Sequence, residues 1–146
     1  MVVTFIGHAT LYDTESIRLH LKKEIKSILA KKENVTFYCG GYGDFDFLCG
    51  RVLFELKNEG YIFESYYITP YLTDKHLSDE HFLKYYDGTI YPPLETTPPR
   101  FAIIKRNEWM VDKSDLVFCY VTHSFGGAAK TRAYAIKRKK EIVDLV

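Results

Sequence analysis

The sequence predicts an α/β fold of three layers, a mostly parallel five-stranded sheet with helices on both faces. Three observations predict it. Apolar β-like runs alternate with stretches at helical spacing along most of the chain, as a parallel sheet covered on both faces requires. Two glycine pairs, Gly40-Gly41 and Gly126-Gly127, each follow an apolar run and precede a helix-like stretch. Apolar residues make up 47% of 146 residues, enough for one core, so a single domain over 1–146 is expected.

The elements follow in order. Val2–Ile6 is a short apolar run closed by Gly7, a buried first strand. Asp13 or Thr14 can cap a helix running to about Lys32. Ile17, Leu21, Ile25, Ile28 and Leu29 form its apolar face, and lysines fill the other. Val35–Cys39 is the second strand. Phe45 to Asn58 is the second helix, with Leu48, Val52, Leu53 and Leu56 inward and Gly60 just past its end. Tyr61–Thr69 is the third strand, stopped by Pro70. Residues 70–100 break the alternation and form an irregular insert. Ser78 can cap a short helix through Tyr86, and a loop rich in proline, threonine and tyrosine follows. A loop this long inside a compact fold is usually functional or mobile. Phe101–Lys113 is a helix with Ile103, Asn107, Met110 and Val111 on one side. Leu116–Val121 is the fourth strand, Gly127–Lys140 the last helix with Ala129, Ala133 and Ile136 inward, and Ile142–Val146 the fifth strand.

Composition excludes several classes. The net charge of +1 gives no global field, which argues against nucleic acid or an anionic membrane as partner. No apolar run has the length of a membrane span. The N-terminus has no basic leader region and reads as a strand. Cys39, Cys49 and Cys119 are odd in number and lie in apolar surroundings, as buried free thiols of a cytoplasmic protein do. Their spacing fits no zinc site, and neither metal nor cofactor is expected.

Chemistry gathers at the strand ends. A strand that turns through glycine into a helix presents bare N–H groups, and those groups and the helix dipole both favour an anion. Ligands of such sheets sit beyond the strands' carboxyl ends. Gly7-His8, the turn Gly40, Gly41, Gly43 to Asp46, and Thr122 to Gly127 all fall there. Asp44 is read as a helix cap and Asp46 as a contact to a ribose hydroxyl or base amine. His8 can hydrogen-bond a ligand or its neighbouring loop. Ser124 is read as a hydroxyl donor to an anion, because no acid partner completes a dyad with His123. Arg106 suits bidentate contact with phosphate, or else an exposed ion pair with Glu108 or Asp112. Lys130 and Arg132 open the last helix, where cations are electrostatically disfavoured, which hints at an anionic partner.

These pieces together resemble the SLOG superfamily, the Rossmann-like group that contains the DNA-processing protein DprA and the LOG phosphoribohydrolases. Phe5-Ile6-Gly7-His8 resembles the opening of one branch, and Gly40-Gly41-Tyr42-Gly43-Asp44-Phe45-Asp46 its first glycine turn. Arg106-Asn107-Glu108-Trp109-Met110 and Ser114-Asp115 resemble the elements before the fourth strand, and Phe125-Gly126-Gly127-Ala128-Ala129-Lys130-Thr131 the second glycine turn. The second turn departs from the hydrolases' Pro-Gly-Gly-x-Gly-Thr-x-x-Glu. Phe125 replaces the proline, Ala129 the third glycine, Lys130 the threonine, and Ala133 the glutamate. Alanine cannot act as acid or base.

The resemblance therefore implies a binding module more than an enzyme. It would hold a nucleotide or nucleotide-derived signal, such as one related to ADP-ribose, as a sensor or a sponge. Gly7, His8, Gly40, Gly41, Gly43, Asp46, Arg106, Ser124, Gly126, Gly127, Lys130 and Thr131 would form the site, with tyrosines of the insert stacked on the base. The alternative is a nucleotide N-glycosidase or phosphoribohydrolase using Asp46 or Asp44 with Arg106. A homo-oligomer is expected for such a fold, with the Tyr61–Tyr91 region as a contact or as a flap over the site.

Overall fold

A computed structural model describes residues 1–146. Six strands form one sheet: β1 (Val2–Gly7), β2 (Thr36–Cys39), β3 (Glu64–Ile68), β4 (Gly88–Ile90), β5 (Leu116–Tyr120) and β6 (Glu141–Asp144). Their order is β4-β3-β2-β1-β5-β6, and every neighbouring pair is parallel. Five α-helices connect them: α1 (Thr14–Lys31), α2 (Asp44–Asn58), α3 (Glu80–Leu83), α4 (Ala102–Lys113) and α5 (Gly127–Lys137). The three-layer Rossmann-like fold expected from the alternation is the observed one, with six strands in place of five.

Period-2 alternation along β1 sorts its residues between the two faces. Val3 and Phe5 join Ile17, Leu21 and Ile25 of α1 and Leu48, Val52, Leu53 and Leu56 of α2 in the larger core. Phe5 stacks at 5.8 Å on Phe37 of β2 and at 5.8 Å on Phe118 of β5, so a row of rings crosses three strands. Full burial of each such ring contributes roughly 1.5–3 kcal/mol. On the opposite face Ile6 meets Val111 of α4 and Ala135 of α5. Thr4 also points there, its hydroxyl donating to the Tyr38 carbonyl at 2.9 Å. Asp13 caps α1 by accepting from Ser16 N, and all three cysteines are free and buried.

The chain runs outward from β1 to β4, and α4 then carries it back to β5 on the other side of β1. α1 leaves β1 toward one face and α5 leaves β5 toward the other. Diverging connections from adjacent strands open a crevice beyond their carboxyl ends.

The insert departs from its expected form. β4 lies inside it, on the sheet edge beside β3. Three residues carry no readable periodicity, so this strand is set by pairing alone. A 3₁₀ turn over Lys75–Ser78 occupies the place where Ser78 would cap, and Asp79 caps α3 instead, accepting from His81 N and Phe82 N. Asp74 fastens the insert to the sheet by accepting from Tyr42 Oη and Tyr67 Oη, each at 2.7 Å, and from His76 N at 2.8 Å. Burial alone would raise the Asp74 carboxyl, but these donors hold it below the usual range. His76 Nε2 meets the Gly41 carbonyl at 2.6 Å and its ring stacks on Phe82 at 4.0 Å. α5 also buries other residues than expected: Thr131 and Ala135 face inward, while Ile136 is exposed.

Gly41 owes its identity to this insert. A Cβ there would stand 2.7 Å from the Tyr67 ring, 2.9 Å from Phe82 and 3.0 Å from His76. Gly41→Ala is expected to cost roughly 1–3 kcal/mol by overpacking a site whose neighbours are buried. Urea unfolding of the two proteins at neutral pH measures it, and an unchanged midpoint would show that the insert yields freely.

Candidate functional site

A cleft of about 550 Å³ opens at the carboxyl ends of β1 and β5. The β1–α1 loop, the start of α5 and one side of α4 complete its walls. Gly7, His8, Asp46, Arg106, Gly126 and Gly127 line it, joined by Tyr12, Tyr42, Asn107, Tyr120, Thr122 and His123. Half of the twelve expected positions thus meet in one place.

The second glycine turn supplies the open backbone. Gly126 is the N-cap of α5 at φ 90°, a conformation that favours glycine, and no side chain caps the helix. The first helical bond is Lys130 N to Gly126 O at 3.1 Å. The N–H groups of Gly127, Ala128 and Ala129 therefore have no acceptor in the protein.

At the first glycine turn the protein itself takes the first two amides of the helix that follows. Asp44 N donates to Ala9 O at 2.8 Å and Phe45 N to His8 O at 3.4 Å, so the β1–α1 loop occupies the start of α2. Tyr42 N donates to Asp46 Oδ2 at 3.0 Å. Asp44 is no cap: its Oδ2 accepts from Leu11 N at 3.0 Å, and Gly43 is the N-cap. Gly40, Gly41 and Gly43 consequently do not line the cleft. Gly40 lies behind the Asp46 carboxylate, and Gly41 faces the insert's aromatic cluster. The insert's tyrosines are absent from the cleft walls, and Tyr86 packs against Phe82 in that cluster.

Asp46 and Arg106 form the inner wall. Arg106 is 1% exposed. Its Nη1 donates to Ile68 O at 2.8 Å and its Nε to Asn107 Oδ1 at 2.9 Å, while Nη2 has no protein acceptor. The expected surface pairing does not occur. Glu108 pairs with Lys105, and Asp112 with Arg138 and Tyr134. Asp46 Oδ1 likewise has no partner in the protein. Burial pushes its carboxyl up to about 6, against the opposing pull of Arg106 and the Tyr42 N–H.

Rings form the rim. His8 Nε2 accepts from Thr122 N at 2.8 Å, which makes His8 a neutral imidazole with its proton on Nδ1. Burial, then the neighbouring His123, holds it below the usual histidine range. The remaining expected residues fall elsewhere. Ser124 faces a shallow neighbouring depression with Arg132 and Asp144, Lys130 is exposed away from the cleft, and Thr131 is buried with its hydroxyl on Gly127 O at 2.9 Å. Arg132 is held by Asp144 at 2.7 and 2.9 Å, which accounts for its place without an anionic ligand. Tyr12, Tyr42, Asn107 and Tyr120 were missed as cleft residues; Tyr42 and Asn107 each sit beside a residue that was named.

No protein-family model matches the sequence, and no curated protein matches it. The fold does match solved structures. DNA processing protein A from Helicobacter pylori superposes at a TM-score of 0.69 over 99% of this chain and 64% of its own, with 13% identity. DNA processing protein A from Streptococcus pneumoniae superposes at 0.68 over 97% and 49%, with 14% identity. The chain thus spans less than two thirds of the length of the first and about half of the second. The Helicobacter protein has a single-stranded DNA binding mode. That finding overturns the expectation, drawn from net charge, that nucleic acid is not a partner for this kind of chain. Net charge reports the field at a distance, whereas a strand can be held by a local cradle of backbone donors.

Proposed function

We propose that the chain binds a nucleotide, free or within a single strand, with a phosphate at the start of α5. One observation carries this reading: the consecutive N–H groups of Gly127, Ala128 and Ala129 lack acceptors, and Gly127 and Ala128 line a cleft that ends at a buried arginine with a free nitrogen. The helix dipole adds to the attraction for an anion there. Asp46 Oδ1 and Asn107 offer an acceptor and an amide to sugar hydroxyls. The fold shared with a protein that binds single-stranded DNA supports the same ligand chemistry. The chain reads as a divergent SLOG-like domain that carries Ala133, exposed on α5, where the hydrolases have glutamate, and its role is that of a sensor or sponge for such a ligand.

Gly127→Pro tests the cradle. Proline fits the first helical position and removes only the N–H, and a Cβ at 127 meets no atom within 4 Å. Calorimetry with AMP, ADP-ribose and a short oligodeoxynucleotide is expected to show binding by the wild type. The variant should bind about tenfold or more weakly, the loss of one charge-assisted hydrogen bond. Equal affinity in both proteins, or no wild-type binding at millimolar ligand, would remove the proposal.

A second reading rests on Asp46. A carboxyl raised to about 6 beside a cationic side chain suits proton transfer near neutral pH, as N-glycosidic hydrolysis needs. Release of free base from a nucleoside monophosphate, abolished in Asp46→Asn, would favour it over simple binding.

A further inference from the structure

Three rings stand in a column at the rim of the cleft. His8 and His123 lie 3.9 Å apart at 16°, and His123 and Phe125 lie 4.0 Å apart at 18°. Tyr120 closes the inner end, edge-on to His8 at 6.3 Å. Two hydrogen bonds fix the column: Thr122 N to His8 Nε2 at 2.8 Å, and His123 Nδ1 to Phe125 O at 2.9 Å. The outer end is open, for Phe125 is 71% exposed. A phenylalanine so exposed, with one face stacked and the other in water, buries little of its ring in the isolated fold. Its place explains it better: Phe125 directly precedes Gly126, the N-cap of the helix whose amides lack acceptors.

We propose that the outer face of Phe125 is the platform for a nucleobase, which enters the column as its fourth ring. This rests on the phosphate reading above and adds the base to it. The preceding rings hold Phe125 in position, so little side-chain entropy is lost on binding. Stacking is tolerant of base identity because every base has a π-face, and the site accordingly selects for a base without choosing strongly among bases.

The test compares AMP with ribose 5-phosphate, which shares the phosphate and sugar and lacks the base, by calorimetry on the whole chain. Phe125→Ala is expected to weaken AMP about tenfold and to leave ribose 5-phosphate unchanged. Phe125→Trp should keep or strengthen AMP binding, a rescue that a merely structural role would not give. An oligodeoxyadenylate arm identifies the source of the base: a loss as large as that for AMP supports the platform for strands as well as for free nucleotides. If the wild type binds both small ligands and Phe125→Ala weakens both equally or neither, the platform is overturned while the phosphate cradle stands. If the wild type binds neither, both proposals fall together.

Discussion

Replacing Asp46 by asparagine is expected to stabilise the protein by about 3 kcal/mol at neutral pH and not at all below about pH 4. The carboxyl titrates at about 6 in the fold against 3.8 as its ordinary value, chiefly because burial opposes its charge. The folded state therefore holds the proton more tightly than the unfolded chain. Its contribution to stability is complete below the unfolded value and is lost as pH rises through about 6. Above that pH the wild type carries the cost of a desolvated carboxylate, roughly 3 kcal/mol. Asparagine keeps an acceptor for Tyr42 N and carries no charge. For a chain of this size the gain corresponds to a rise in Tm of roughly 6–12 °C. Thermal melts at pH 4, 5.5 and 7.5 measure it, and a difference independent of pH would show that the carboxylate is not the source. A group that costs stability where it stands is what a functional site retains.

Arg106→Met should do the opposite, with a loss of about 3 kcal/mol at neutral pH. Methionine fills much of the same volume but leaves the Ile68 carbonyl without its donor and Asp46 without its nearest positive charge. Because part of the damage passes through Asp46, the two substitutions should not add. The double variant is expected to recover about 1 kcal/mol or more relative to the sum of the singles. Urea titrations of the four proteins close the cycle. Additivity within about 0.5 kcal/mol would mean that the two side chains, which make no direct hydrogen bond, are energetically independent.

Most of the architecture was legible because its signals are local. Asp13 before Thr14, the spacing of Ile17, Leu21 and Ile25, and Gly7 after Val2–Ile6 each report on a few neighbouring residues, and the elements stand where those signals put them. α5 was harder to read. Its apolar positions are small alanines that give weak contrast around the helix, and Thr131 and Ala135 took the inward face. β4 was invisible, since three residues have no pattern until β3 lies beside them.

The two glycine turns mark the limit of what sequence alone determined. It placed both at the carboxyl ends of parallel strands, before helices, beside Gly7 and His8 at the end of the first strand. Tertiary structure decided which turn stays open. A backbone amide is free or taken according to acceptors far away along the chain: His8 and Ala9 close the start of α2, and nothing closes the start of α5. The same holds for Arg106 of α4, whose guanidinium donates to the Ile68 carbonyl of β3. Local pattern sets the direction of a strand or helix, but hydrogen-bond partners and desolvation are properties of the assembled fold.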